Sequence, residues 1–145
     1  MERRLTLMRA VGRLRRAWGN HVRQVTQKEG IPDSYRTVLL YLYNNPGSCQ
    51  RNIATFAAVT TSAVNQTVKS MLEEGYLRKE TDSCDKRGTK LYLTEAGTAV
   101  AERLYSRLSV SDDAITAHLG VEKEKELIAL LEELAQYIGK ELDGC

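Results

Sequence analysis

Ser62, Asn65, Gln66 and Lys69 are spaced so that a helix gathers them on one face. A side-chain amide both donates and accepts, so Asn65 and Gln66 match what an adenine edge offers in the major groove of duplex DNA, while Lys69 reaches a guanine or a phosphate. Any solvated helix also shows polar residues outward, so the face alone does not separate the two readings. Further along, Asp85, Lys86 and Arg87 lie in the loop Ser83-Cys84-Asp85-Lys86-Arg87-Gly88. A guanidinium on a thin β-tip fits the minor groove, where negative potential is concentrated, and Lys86 and Lys90 can neutralise phosphates. Asp85, two residues before Arg87 in an extended segment, can accept from that guanidinium and set its direction. An ordinary charged turn is the competing reading.

These residues need elements to hold them. Leu7, Val11, Leu14, Trp18, Val22 and Val25 recur at steps of three and four, which predicts a long helix ending at Gly30-Ile31-Pro32. Asp33 is the expected cap of a second helix with Val38, Leu39 and Leu42 inward, broken at Asn45-Pro46-Gly47. Ser48 is the expected cap of a short third helix that buries Ile53, Ala54 and Phe56 and ends near Ala57-Ala58. Thr60 or Thr61 then caps a fourth, with Val64, Val68, Met71 and Leu72 inside and Gly75 as terminator. Tyr76 to Asp82 and Thr89 to Thr94 have strand character and predict a hairpin. Thr94 caps a fifth helix, Gly120 breaks it, and Leu127, Leu131, Leu134, Ile138 and Leu142 stripe a sixth. Two short helices joined by a tight turn, followed by a hairpin, predict a mainly α fold: a winged helix-turn-helix with a small β-hairpin wing, in one domain over residues 1–145.

At this point the residues resemble the MarR (multiple antibiotic resistance regulator) family. Asp82 to Gly97, with Asp85-Lys86-Arg87 and then Leu93-Thr94-Glu95-Ala96-Gly97, looks like that family's wing signature of Asp-x-Arg followed by Leu-Thr-x-x-Gly. Thr60 to Leu77 is similar to its recognition helix. The resemblance implies a homodimer built from terminal helices over residues 1–30 and 112–145, with the winged lobe and a connecting helix over 31–111. It also implies a DNA-binding regulator, a repressor relieved by a small-molecule effector, with Ser62, Asn65, Gln66 and Lys69 in the major groove, Thr61 near the DNA backbone, Arg87 in the minor groove and Asp85 behind it. Ala58 stands where the family often has Gly, and Gln66 where Arg or Lys is frequent.

Charge fits a partner of that kind. Net charge is +2, yet residues 1–28 hold 8 Lys/Arg against one acid while residues 112–145 hold 3 against 9. A basic head and an acidic tail, each with an apolar stripe longer than a small lobe can cover, predict self-association through both ends. Trp18, Tyr35, Tyr41 and Tyr43 are candidates to line an effector cleft, although aromatics at helical spacing are more often core. Cys49, Cys84 and Cys145 form no ligand or disulfide pattern, and His21 and His118 are isolated, so neither metal nor cofactor is expected. Cys84 beside Lys86 and Arg87 has the setting of a redox-sensitive thiol but no nearby partner, and reads as an incidental turn residue. No nucleophile elbow, phosphate loop, dinucleotide fingerprint or zinc-protease pattern is present, which predicts no enzyme. The charged N-terminus and the lack of a long apolar run predict a cytoplasmic protein with no membrane partner. Against specific DNA binding stands one alternative, a winged-helix protein-interaction or dimerisation module.

Overall fold

The computed structural model describes residues 2–81 and 88–142, with side chains from Thr6 onward. Two compact units emerge, Met1–Leu108 and Ser109–Cys145. In the first, α1 (Glu2–Lys28) ends where Gly30 takes a φ of +70°, the left-handed conformation that glycine adopts without a side-chain clash. Of its apolar stripe only the last turns are covered: Val22 and Val25 are buried, whereas Leu7 and Leu14 are 53% and 58% exposed.

Pro32 precedes α2 (Asp33–Asn44) with the extended backbone typical of a helix entry. Asp33 is therefore the first helical residue and not the expected cap; its carboxylate pairs with Arg36 one turn on. Ser48 also departs from expectation. Cys49 occupies the cap position of α3 (Gln50–Ala57), and Ser48 instead pairs with Leu91, whose N–H donates to the Ser48 carbonyl at 3.0 Å while Gly47 N–H donates to Leu91 O at 2.9 Å. An edge strand with free backbone groups competed successfully for that backbone.

After α4 (Thr61–Glu73) come β1 (Leu77–Thr81) and β2 (Thr89–Leu93), an antiparallel pair in the register Leu77↔Leu93 to Thr81↔Thr89. The helix α5 (Glu95–Leu119) follows. Leu39, Ile53, Val68, Met71, Leu91 and Leu104 meet in the core with no solvent exposure, one or more from each of α2, α3, α4, β2 and α5. Phe56 was expected there and is 64% exposed. The inward contact of α3 is made by Ile53 and Ala54, and the Phe56 ring rests 4.9 Å from that of Tyr41 at the rim of a cavity.

The second unit holds the end of α5, α6 (Val121–Tyr137) and a closing π turn, Ile138–Leu142. Gly120, at φ +94°, makes the corner, and Thr116 Oγ1 donates across it to Glu124 Oε1 at 2.7 Å. No residue of α6 is buried; Leu127, Ile128, Leu130, Leu131 and Tyr137 are all exposed. Among the described residues no helix is long and apolar enough to cross a membrane.

Within the first unit, the chain just after α1 is tied to α5 by one carboxylate. Glu29, whose side chain is 6% exposed, accepts from Arg103 Nε and Arg107 Nε, both at 2.8 Å, and the two arginines lie one turn apart. The Arg103 hydrogen bond lowers the Glu29 pKa below its ordinary 4.5, against the opposing effect of burial, and Arg107 adds to the lowering. A lowered folded-state pKa stabilises the protein above the ordinary carboxylate range, and that contribution is lost as pH falls through the folded value. Thermal melts between about pH 3 and pH 7 should therefore show an acid-side loss that is smaller in Glu29→Gln, which starts from a lower Tm at neutral pH. Identical acid limbs in the two proteins would remove Glu29 from that role.

Candidate nucleic-acid interface

The turn before α4 rests on an unusual backbone. Ala58 adopts φ +54°, ψ +40°, and is the sole non-glycine with positive φ among the described residues. A Cβ in the left-handed region crowds the following carbonyl, which is the physical reason a glycine is favoured in such a turn. Thr60 then caps α4, its Oγ1 accepting from Ala63 N–H at 3.2 Å. Val64, Val68 and Met71 are buried on the inner face. Thr61, Ser62, Asn65, Gln66 and Lys69 are all exposed on the other.

At its C-terminus α4 is closed by a Schellman arrangement. Tyr76 N–H donates to Met71 O at 2.9 Å and Gly75 N–H to Leu72 O at 3.3 Å, with Gly75 at φ +83°. Tyr35, expected as an effector-cleft residue, is instead buried in the core, and its hydroxyl donates to Glu74 Oε1 at 2.7 Å, which ties α2 to the end of α4. Burial raises the Tyr35 pKa, and the bond to Glu74 raises it further, so the phenol keeps its proton and keeps donating.

The hairpin is fixed to α4 by Thr94. Its hydroxyl donates to Gly75 O at 2.6 Å and accepts from Gly97 N–H at 3.1 Å, while its own N–H donates to Tyr76 O at 3.0 Å. One residue thus joins the corner after α4, the end of β2 and the start of α5. Gly97 is necessary to it, because a Cβ at that position would stand 2.2 Å from Tyr76 O. The Leu-Thr-x-x-Gly pattern read in the sequence is therefore a positioning device for the elements that carry the exposed polar groups.

On the hairpin, Arg78 lies 4.4 Å over the Tyr92 ring and pairs with Glu80. Lys90 stands directly across from Glu80 on that same face. Asp85, Lys86 and Arg87, together with Cys84, fall outside the described residues.

A separate cavity of about 420 Å3 opens between α1, α2, α3 and α5 within the first unit. Trp18 lines it, as do Leu40, Tyr41, Phe56 and Tyr105, with the Arg36 guanidinium as the cation in its wall. Arg36 also donates to the buried Thr26 Oγ1 at 3.2 Å, and Asn44 hydrogen-bonds the Tyr105 hydroxyl. Arg36 and Tyr105 were not singled out in the sequence, and Phe56 was read there only as a core residue; Tyr105 arrives from α5 and only folding places it against α2.

Comparison with known proteins follows the same lines. The MarR family model matches residues 29–88. A curated relative, the HTH-type transcriptional regulator BilQ of Clostridium symbiosum, is 29% identical over 110 residues, covering 76% of each chain. Among solved structures, a MarR family transcription regulator superposes with a TM-score of 0.90 at 14% identity over 99% of this chain and 95% of its own. Staphylococcus aureus MarR in complex with salicylate and kanamycin does so with a TM-score of 0.81 at 18% identity, over 93% and 91%. Identities this low carry the fold.

Two substitutions test the local geometry in opposite directions. Gly97→Ala forces the Tyr76 carbonyl aside and should cost about 2 kcal/mol or more, a Tm drop on the order of 5–10 °C. Ala58→Gly relieves the left-handed residue and should gain about 0.5–1 kcal/mol after the flexibility of an unfolded glycine is offset. Calorimetry of both variants checks the pair, and a stabilised Gly97→Ala would contradict the close approach.

Proposed function

We propose that this chain, whose residues 29–88 match the MarR family model, is a member of that family and a sequence-specific DNA-binding transcriptional regulator that works as a homodimer and responds to a small molecule. The observation that carries this reading is the exposed row Ser62, Asn65, Gln66 and Lys69 on α4, held beside the hairpin by Thr94. Amides on such a face read adenine edges, and Lys69 reaches a guanine or phosphate. Arg87 enters the adjacent minor groove with Asp85 behind it.

Exposed apolar rows support the dimer. Leu7 and Leu14 on α1 and Leu127 and Leu131 on α6 face solvent in the single chain, and a second copy gives them cover. Opposite charge at the two ends of the sequence favours the same association. Two copies then set their recognition helices about one helical turn, ~34 Å, apart on a pseudo-palindromic site.

The cavity beside Trp18 is the effector site in this reading. Its aromatic walls and the Arg36 guanidinium suit a planar aromatic molecule with an anionic group. Salicylate, bound in the S. aureus structure, has that chemistry.

Duplex from the gene's own upstream region, titrated at several salt concentrations against a random duplex, is the direct test. Binding should weaken steeply with salt and prefer the upstream site, with a sedimenting mass near twice the 16.3 kDa of the chain. Asn65→Ala or Gln66→Ala should cost ~1–3 kcal/mol chiefly on the preferred site, while Arg87→Ala weakens binding to all sequences and flattens the salt slope by about one ion per protomer. No binding at any salt would leave a protein-interaction module as the surviving reading. The effector reading has its own probe, since Trp18 is the only tryptophan. Its emission should change on adding an aromatic carboxylate, and Arg36→Ala should weaken that response on the order of tenfold or more. An unchanged affinity in Arg36→Ala would refute the anion contact.

A further inference from the structure

The two faces of the hairpin carry lysines in different surroundings. In the ladder Lys79 pairs with Leu91 and Lys90 with Glu80. Successive strand residues alternate sides, so Lys79 shares the face of the buried Leu77 and Leu91, and Lys90 that of Arg78, Glu80 and Tyr92. Sequence alone suggested Lys90 for phosphate contact. The register turns Lys79, which drew no attention there, toward the recognition helix.

Between that inner face and α4 runs a groove of about 350 Å3. Val68, Leu72 and Leu91 are its apolar lining; Asn65 and Lys69 from α4, Lys79 and Thr89 from the hairpin, and Gln50 from α3 supply its polar groups. Among the described residues no carboxylate lines it. Among the described residues no ion pair involves Lys69 or Lys79, although Glu73 lies one turn beyond Lys69 on α4. A lysine can lay its stem along apolar surface and hold its ammonium at the mouth. Two lysines, one from each wall, with the Asn65 and Gln50 amides and the Thr89 hydroxyl in the same lining, suit an anion of phosphate size.

Duplex geometry says which phosphate that is. A protein with one helix in the major groove and a hairpin tip in the neighbouring minor groove must straddle the sugar-phosphate strand that separates the two grooves. Here the groove lies between those two elements and shares Asn65 with the base-reading face of α4.

We propose that this groove holds a phosphodiester of the bound duplex, with Lys79 a phosphate-contacting residue of the interface and Lys90 a lesser one because it faces Glu80. The proposal rests on the DNA-binding reading above. The asymmetry is electrostatic: no described carboxylate lines the groove that Lys79 shares with Lys69, whereas Lys90 has directly opposite it the Glu80 carboxylate, which also pairs with Arg78.

The test measures affinity of the full-length chain for the upstream duplex and for a random duplex over a salt series, in wild type, Lys79→Ala, Lys79→Gln, Lys79→Arg and Lys90→Ala. Lys79→Ala and Lys79→Gln should weaken both duplexes several-fold and about equally, and flatten the logarithmic salt slope by about one ion per protomer. Lys79→Arg should keep the wild-type slope, and Lys90→Ala should lose less in both affinity and slope than Lys79→Ala. Agreement of the Ala and Gln variants shows that charge, and not packing of the stem, is responsible. Should wild type bind while Lys79→Ala matches it, or Lys90→Ala lose more, this assignment is overturned and the regulator reading stands. If wild type binds no duplex, both are overturned. A free phosphate offers the same chemistry, so melts in phosphate and chloride buffers of equal ionic strength complete the test. Equal Tm values support a duplex site, and a phosphate stabilisation that disappears in Lys79→Ala makes the groove a small-anion site instead.

Discussion

Thr94 and Gly97 hold together the part of the structure on which everything else depends. Three hydrogen bonds of Thr94, two donated and one accepted, and a backbone approach that only a glycine permits bring the corner after α4, the end of β2 and the first turn of α5 to one point. A recognition helix and a hairpin can address neighbouring grooves of one duplex only if their separation is held to a fraction of an ångström. Hydrogen bonds to backbone groups do this better than side-chain packing, because they fix direction as well as distance. Tyr35 extends the same constraint to α2 through Glu74.

Around that point the lobe distributes its burial unevenly. The core residues of α2, α3, α4, β2 and α5 exclude solvent, whereas the apolar rows of early α1 and of α6 remain open. A row of exposed leucines costs free energy in water, at roughly 25 cal/mol per Å2 of apolar surface left uncovered. The lobe needs no such partner, since its own elements close its core. The cavity beside Trp18 lies among α1, α2, α3 and α5 of the first unit. Arg36, in the wall of that cavity, also holds Thr26 on α1 and Asp33 at the start of α2.

Much of this was legible in the residues alone. The inner row of α4, its Thr60 cap, its Gly75 terminator and the outward set from Ser62 to Lys69 follow from a period of 3.6 and from cap chemistry, both local properties of the chain. So do the hairpin and the corner at Gly120. Two misses occurred where a distant segment competed for a local group, and a third was a local shift of one residue at a helix start. Ser48 lost its capping role because β2 needed a partner, Asp33 yielded the cap to Pro32, and Phe56 left the core for the side of Tyr41.

What the sequence determined by itself was the order of elements, their amphipathic faces and the residue types offered to a nucleic acid, because each depends on neighbours within a few positions. Tertiary structure alone decided which lysine of the hairpin faces the recognition helix, that Tyr35 belongs to the core, and that Arg36 and Tyr105 share a cavity. Those facts turn on strand register and on contacts such as Tyr105 with α2, which no spacing along the chain encodes.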